Sequence, residues 1–293
     1  MAEFLQQVIN GLLMGGVYAL VAVGFALIFG VLRVLYMTHG EVLMLAAYIG
    51  LFAVTLTNSL VIAMLAAMAS AAIVGMLIER IAVRPLRGQH HLMPLVTTIS
   101  VGLILQEVIR ITVHGGEPVA YPRQVRLALS PISLGPLTIG SAQVLVLIVS
   151  VVLMIALTYF IRRTKAGRAI RAVAQDFDVA AMLGVSIDRV SALTFAVSSA
   201  LTGAAGVLFG VLFSSITPYI GGGIGFKALA IVLFGGLGSL PGAVVGGLIL
   251  GLVESLAVGY LATTYRDAFA FATMILILLV RPSGLFGTHI KLD

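Results

Sequence analysis

No cysteine occurs among the 293 residues, and only 10% of them are charged. The first absence excludes disulfides and thiolate metal sites. The second excludes an ordinary soluble domain, which carries about 25% charged residues; this chain is 60% hydrophobic, with a mean hydropathy of +1.17. No stretch stays polar long enough to form a separate soluble unit, so residues 1–293 read as one membrane-embedded domain. A nucleotide site is missing as well. The glycine-rich run Gly221–Lys227 lacks the glycine before its lysine and the Ser or Thr after it that a phosphate-cradling loop needs.

Catalytic constellations are absent in the same way. His90 and His91 are adjacent, so they would not share a helix face as metal ligands. No Ser/His/Asp set or carboxylate pair at hydrolytic spacing stands out. The expectation is a protein that is not an enzyme and needs no cofactor or metal. The net charge of +6 would suggest nucleic acid in a soluble chain. Here the basic residues follow the sidedness of loops, which points away from nucleic acid.

What is present is hydrocarbon in helix-length runs. Crossing ~30 Å of lipid takes roughly 20 apolar residues. Spans are expected near 8–31, 41–57, 59–79, 92–113, 141–161 and 190–213. A broken region follows over 222–260, divisible into 222–239 and 242–260, and then a last span near 267–280. The fold class is therefore all-α: a polytopic bundle of 8–10 spans, about nine, with a broken or re-entrant region near 222–242. The run from Val8 to Leu32 has no basic residue before it and exceeds a signal-peptide core of roughly 7–15 residues, so it reads as a retained span. Placing the loops after spans one, three and five and the C-terminal end inside puts twelve of the 17 Lys and Arg in the cytoplasm. The N-terminus then lies outside. Arg110, Arg123, Arg126, Lys227 and Arg266 fall on the outer side, where the proline-rich loop 114–140 could form a lid or ledge. No repeat is visible at the residue level, although many transporters carry internal duplications.

The longest polar interruption of the second half is 162–189, with six basic and three acidic residues. It reads as a short cytoplasmic helix, with Asp176 and Asp178 suited to a helix start and Gly184 to its stop. Small-xxx-small pairs are dense: Gly11/Gly15, Gly206/Gly210, Gly221/Gly225, Gly242/Gly246 and Gly247/Gly251. They allow close helix packing inside one subunit, or, for 242–251, against a partner. The run Phe234–Gly242 fits a tight turn or re-entrant element as well as an ordinary loop. Few ionisable residues lie in the spans, and each costs at least ~2.5–3.5 kcal/mol at mid-bilayer. Glu107 and Arg110 are spaced to pair with each other. Glu254 is either a buried bond to a neighbouring helix or a polar point on a path. His39, Gly40 and Glu41, at the start of the second span, are candidates for lining a path or gate, the alternative being an interfacial cap.

Several stretches together carry a resemblance: Thr38–Tyr48, Gly167–Asp176, Ala180–Val185, Phe195–Gly206, Phe234–Ala243 and Arg281–Gly287. The chain resembles, over essentially its whole length, the permease subunits of branched-chain amino acid ABC importers, and most nearly the LivH-type member of the permease pair. The resemblance implies a bacterial or archaeal cytoplasmic-membrane subunit that forms half of a path for leucine, isoleucine and valine. It implies a second permease subunit, two ATPase subunits and a periplasmic or lipid-anchored binding protein as partners. ABC importers carry a Glu-Ala-Ala, three residues, Gly pattern that docks on the ATPase. Here Asp178, Val179, Ala180 and Gly184 occupy that spacing, with Asp for Glu and Val for Ala. Arg168 and Arg171 could face acidic surface on the ATPase, or lipid headgroups; Arg123 and Arg126 could pair with carboxylates of the binding protein, or be plain surface charge. The alternatives are an ABC permease for urea or short amides, an ion-coupled secondary transporter with only Glu41 and Glu254 to hold an ion, and a passive channel.

Overall fold

Backbone N–H and C=O groups have no water to bond inside hydrocarbon, so apolar runs satisfy them internally as helices. The computed structural model describes residues 2–89, 92–122, 132–134, 137–261 and 263–287. Among these are α1 (Ala2–Leu32), α2 (His39–Thr57), α3 (Leu60–Ile78), α4 (Leu92–Thr112), α5 (Ser141–Arg163), α6 (Lys165–Gln175), α7 (Phe177–Met182), α8 (Ile187–Phe213), α9 (Ile220–Gly235), α10 (Leu240–Tyr260) and α11 (Arg266–Val280). Among the described residues, eight helical segments are long and apolar enough to cross a membrane, and the 16-residue α9 is the shorter ninth. Strand, among the described residues, is confined to two small antiparallel pairs. These are β1 (Val119–Ala120) with β4 (Ser215–Ile216), and β2 (Ile132–Leu134) with β3 (Leu137–Ile139).

Helix pairing exposes an order invisible in the residues. Helices α1 and α10 run antiparallel with backbones almost touching: Gly15 faces Leu248 and Gly247 faces Ala19, while Gly30 faces Gly238 in the turn before α10. The same relation holds for α3 and α8, where Gly203 meets Ala67 and Ala71, and Gly75 meets Ser199. Both long helices α1 and α8 end on a non-glycine residue with positive φ, Arg33 at 53° and Ser214 at 66°. A non-helical link follows each, and then a helix begins again, at His39 or at Ile220. The same 181 positions separate Arg33 from Ser214 and His39 from Ile220. Helices α1–α3 and α8–α10 are thus two copies of one plan, opposed in direction.

The small-residue pairs act within the chain. Gly247 and Gly251 lie on α1, Gly246 lies against Ile231 and Phe234 of α9, and Gly242 lies against Gly235. This removes the 242–251 face as a surface for a partner subunit. The run Phe234–Gly242 is a tight turn, with Gly236 and Gly238 at φ +110° and +77°. The downstream chain closes over it: Leu285 N–H donates to Phe234 O at 2.7 Å and Phe286 N–H to Gly235 O at 3.0 Å. The polar stretch 162–189 differs from the single helix expected. It forms α6 and α7, broken at Asp176, whose side chain accepts from Val179 N–H at 2.9 Å and so starts α7. Burying Ile170 and Val173 leaves Arg168 and Arg171 on the outer side of α6.

Gly15→Ala is expected to be more damaging than Gly16→Ala, although the two sites adjoin. A Cβ at Gly15 would stand 2.8 Å from the Leu248 Cα, whereas one at Gly16 would make ordinary contact with Ser150 at 3.5 Å. A loss of about 1–3 kcal/mol is expected for the first and little for the second. Thermal unfolding of the detergent-solubilised protein would compare them; equal midpoints would contradict the close α1–α10 approach.

Candidate functional site

The two helix restarts meet. His39 Nε2 lies 3.2 Å from Val21 O, beside Gly24 of α1. From Gly24 the helix still runs about 12 Å to Leu32, so α2 begins well inside the apolar layer. Gly40 of α2 abuts Gly221 and Gly225 of α9, and a Cβ on Gly40 would overlap the Gly221 carbonyl, so the crossing requires glycine there. The link before α2 is held by α4: Thr38 Oγ1 donates to Thr98 O at 2.5 Å, and Thr98 Oγ1 accepts from Met37 N–H at 3.3 Å. The link before α9 is held by β1 pairing with β4 and by Tyr121, whose N–H donates to Ser214 O at 2.9 Å. The Tyr121 hydroxyl reaches Ala47 O at 3.1 Å; burial pushes its pKa up and keeps it a neutral donor.

The three residues at the α2 start part company. His39 is sealed between Phe25, Tyr36 and Thr202, the Thr202 hydroxyl lying 2.6 Å from its Nε2. Gly40 is the crossing point. Glu41 is 7% exposed and its Oε2 has no hydrogen-bond partner. It lies against Gly221 and Gly222 on one side and Gly102 of α4 on the other.

A second buried carboxylate is treated oppositely. Glu254 of α10 is fully buried, with Lys227 Nζ at 2.8 Å from Oε1 and Arg266 Nε and the Tyr18 hydroxyl each at 2.8 Å from Oε2. Asp267 Oδ1 lies 2.7 Å from Lys227 Nζ. Two cations and two anions from α9, α10 and α11 balance, and Glu254 is a buried bond between helices. Lys227, counted in the sequence among the outer charges, is buried within α9 at 8% exposure. The Glu107–Arg110 pair forms as expected, Arg110 Nε donating to Glu107 Oε2 at 2.8 Å.

A third cluster had no sequence signal. Glu79, fully buried at the π-helical turn Glu79–Val83 after α3, takes Arg84 at 3.0 Å, Arg87, and the Ser191 hydroxyl at 2.8 Å. Arg87 also holds Asp188 at 2.6 Å. This clamp ties the end of α3 to the start of α8, next to α7. There Ala180 is buried while Phe177, Val179, Met182 and Leu183 are exposed, Met182 by 85% and Leu183 by 78%. Gly184 has φ +82° and ends α7, with Val185 N–H donating to Ala180 O at 3.0 Å and Gly184 N–H to Ala181 O at 3.0 Å. Asp178 is exposed, and Arg171 donates to Ile161 O, tying α6 back to α5. Arg123, Arg126, His90 and His91 lie outside the described residues. Among the described residues no group of His, Cys, Asp and Glu could hold a metal.

Residues 7–278 match the family model described as the permease component of branched-chain amino acid transport systems. The chain belongs to that family. This permease is 39% identical to the high-affinity branched-chain amino acid transport system permease protein LivH of Salmonella typhimurium, over 97% of its own length and 96% of the relative's. It is 38% identical, with the same shares, to the permease protein BraD of Pseudomonas aeruginosa. An autoinducer 2 import system permease protein, LsrC of an Enterobacter species, is more distant, 26% identical over 54% of this chain. No solved structure matches. With its apolar helices, the permease is a multi-pass membrane protein.

Removing one member of the balanced cluster leaves an uncompensated buried charge, at about 3–5 kcal/mol. Glu254→Gln alone strands Lys227 and Arg266 with Asp267. The double variant Lys227→Met/Glu254→Gln restores balance and is expected to unfold at a higher temperature than Glu254→Gln. Additive losses in a double-mutant cycle would contradict direct pairing.

Proposed function

We propose that this permease forms half of the pathway through which a branched-chain amino acid ABC importer carries leucine, isoleucine and valine, working beside a second permease subunit. The observation that carries the reading is the exposed apolar elbow at α7, set on a rigid, charge-clamped base in a chain with no nucleotide-binding loop. Phe177, Val179, Met182 and Leu183 offer the apolar centre of a docking surface, and Asp178, Arg168 and Arg171 its polar rim. Two ATPase subunits supply the drive. Their closure pushes on α7, and the Glu79–Arg84–Arg87–Asp188 clamp passes the displacement to α3 and α8 together. A binding protein delivers substrate on the opposite face, where Arg123 and Arg126 are candidates for meeting its carboxylates. The basic elbow lies in the cytoplasm, with the N-terminus outside and the C-terminus inside. Of the candidate path residues, Glu41 has the environment of a contact with cargo; His39 and Glu254 hold the walls.

Purified alone in liposomes, the subunit is expected to carry nothing. With its partners and ATP it accumulates leucine. Accumulation driven by an ion gradient, with no ATPase present, would end the reading. Met182→Asp alters a side chain that packs against almost nothing, so its thermal stability should hold while ATPase retention falls by about tenfold. Gly184→Leu forces a side chain into a left-handed backbone at about 1–2 kcal/mol, and Arg171→Glu reverses a charge on α6. Both are expected to uncouple ATP hydrolysis from uptake, and unchanged uptake in all three variants would remove the elbow from the drive.

A further inference from the structure

Two features on the two sides of the α2–α9 crossing converge on one ligand. The first is a carboxylate without a partner. Glu41 is more than nine-tenths buried, its Oε2 accepts no hydrogen bond, and nothing cationic reaches it among the described residues. Its counterpart Glu254 shows what the chain does when a buried carboxylate serves packing: it supplies a lysine, an arginine and a tyrosine. The second is an open helix start. The first turn of a helix leaves N–H groups without intrahelical acceptors, and Tyr219 gives α9 no side-chain cap. Gly221 and Gly222 fall within that turn, and Gly223 follows as the first residue to bond back along the helix. Glu41 Oε1 lies on the Gly222 side, and a Cβ at Gly223 would meet nothing within 4 Å. Free N–H groups and the positive end of the helix favour an anion there.

An acceptor for a cation beside donors for an anion matches a zwitterion. We infer that Glu41 and the Gly221–Gly222 turn of α9 form a weak substrate site inside the bilayer. It would take the main chain of an α-amino acid, with the ammonium on Glu41 and the carboxylate on the glycine amides. Glycine suits this turn because a ligand can approach its backbone closely. The aromatic rings of Tyr219 and Phe226, exposed on the same helix and flanking Gly223, would meet the aliphatic side chain. Such a site reads the part common to leucine, isoleucine and valine and leaves the side chain loosely specified. The site presupposes that the chain is an amino acid permease, and its test must separate the two.

The assembled transporter, with its second permease, ATPases and binding protein, is reconstituted in proteoliposomes, and leucine taken up per ATP hydrolysed is measured. Loss of a charged hydrogen bond to the ammonium should lower that ratio at least about tenfold in Glu41→Gln, and Glu41→Asp should recover part of it. Radiolabelled leucine should bind weakly to the complex lacking its binding protein. Isoleucine should displace it, while 4-methylpentanoate, which lacks the ammonium, and 3-methylbutan-1-amine, which lacks the carboxylate, should not. An unchanged ratio in Glu41→Gln would overturn the site, as would uptake and hydrolysis falling together. Wild-type uptake that needs a sodium or proton gradient and loses that need in Glu41→Gln would assign the carboxylate to an ion and overturn it too. A wild-type complex that fails to take up leucine with ATP counts against the permease reading instead.

Discussion

A helix that starts inside hydrocarbon exposes backbone polar groups that no solvent will bond, and among the described residues this happens twice, at α2 and α9. Most of the remaining architecture makes those interruptions tolerable. Thr98 of α4 serves one link with both its hydroxyl and its carbonyl. A two-residue strand pair and Tyr121 serve the other. Glycine at both restarts lets α2 and α9 cross with backbones in contact. Long flanking helices, zipped through glycine and alanine, hold both restarts at one depth. Structure this costly is kept where a polar point is needed in an apolar layer.

The buried carboxylates divide along the same line. Glu254 and Glu79 are each surrounded by cations and hydroxyl groups, and each joins helices far apart in sequence. Both are closed networks, in which every charge has its counter-charge. Glu41 stands at the crossing itself and is left incomplete. A path between two access states needs a contact that substrate can make and break, and a carboxylate already saturated by arginine cannot offer one. The apolar faces of α3, α4, α5 and α11 stay exposed, as surfaces turned to lipid do.

Force and cargo would enter at different ends of the same elements. The elbow at α7 sits at the foot of α8, and the clamp on Glu79 binds that foot to α3. Further along, α8 carries Thr202 against His39, and α3 carries Ala67 and Ala71 against Gly203. On the proposed coupling, a displacement at the elbow would reach the α2 start through packed backbone.

Composition and run length alone decide that this is a helical membrane protein with about nine apolar segments, because hydrophobic length is a local property that each stretch carries by itself. The pairing of Glu107 with Arg110 and the roles of Asp176 and Gly184 are legible for the same reason, since their partners lie within a turn or two. The inverted repeat, the meeting of Gly40 with Gly221, the burial of Lys227 and the clamp on Glu79 are not legible. Each joins residues 100 or more positions apart, or, for Lys227, depends on which face of a glycine-rich helix turns inward. Sequence names the charged residues of the spans, but only the packing decides which are neutralised and which is left open: a charge's fate in hydrocarbon is set by its nearest neighbours in space.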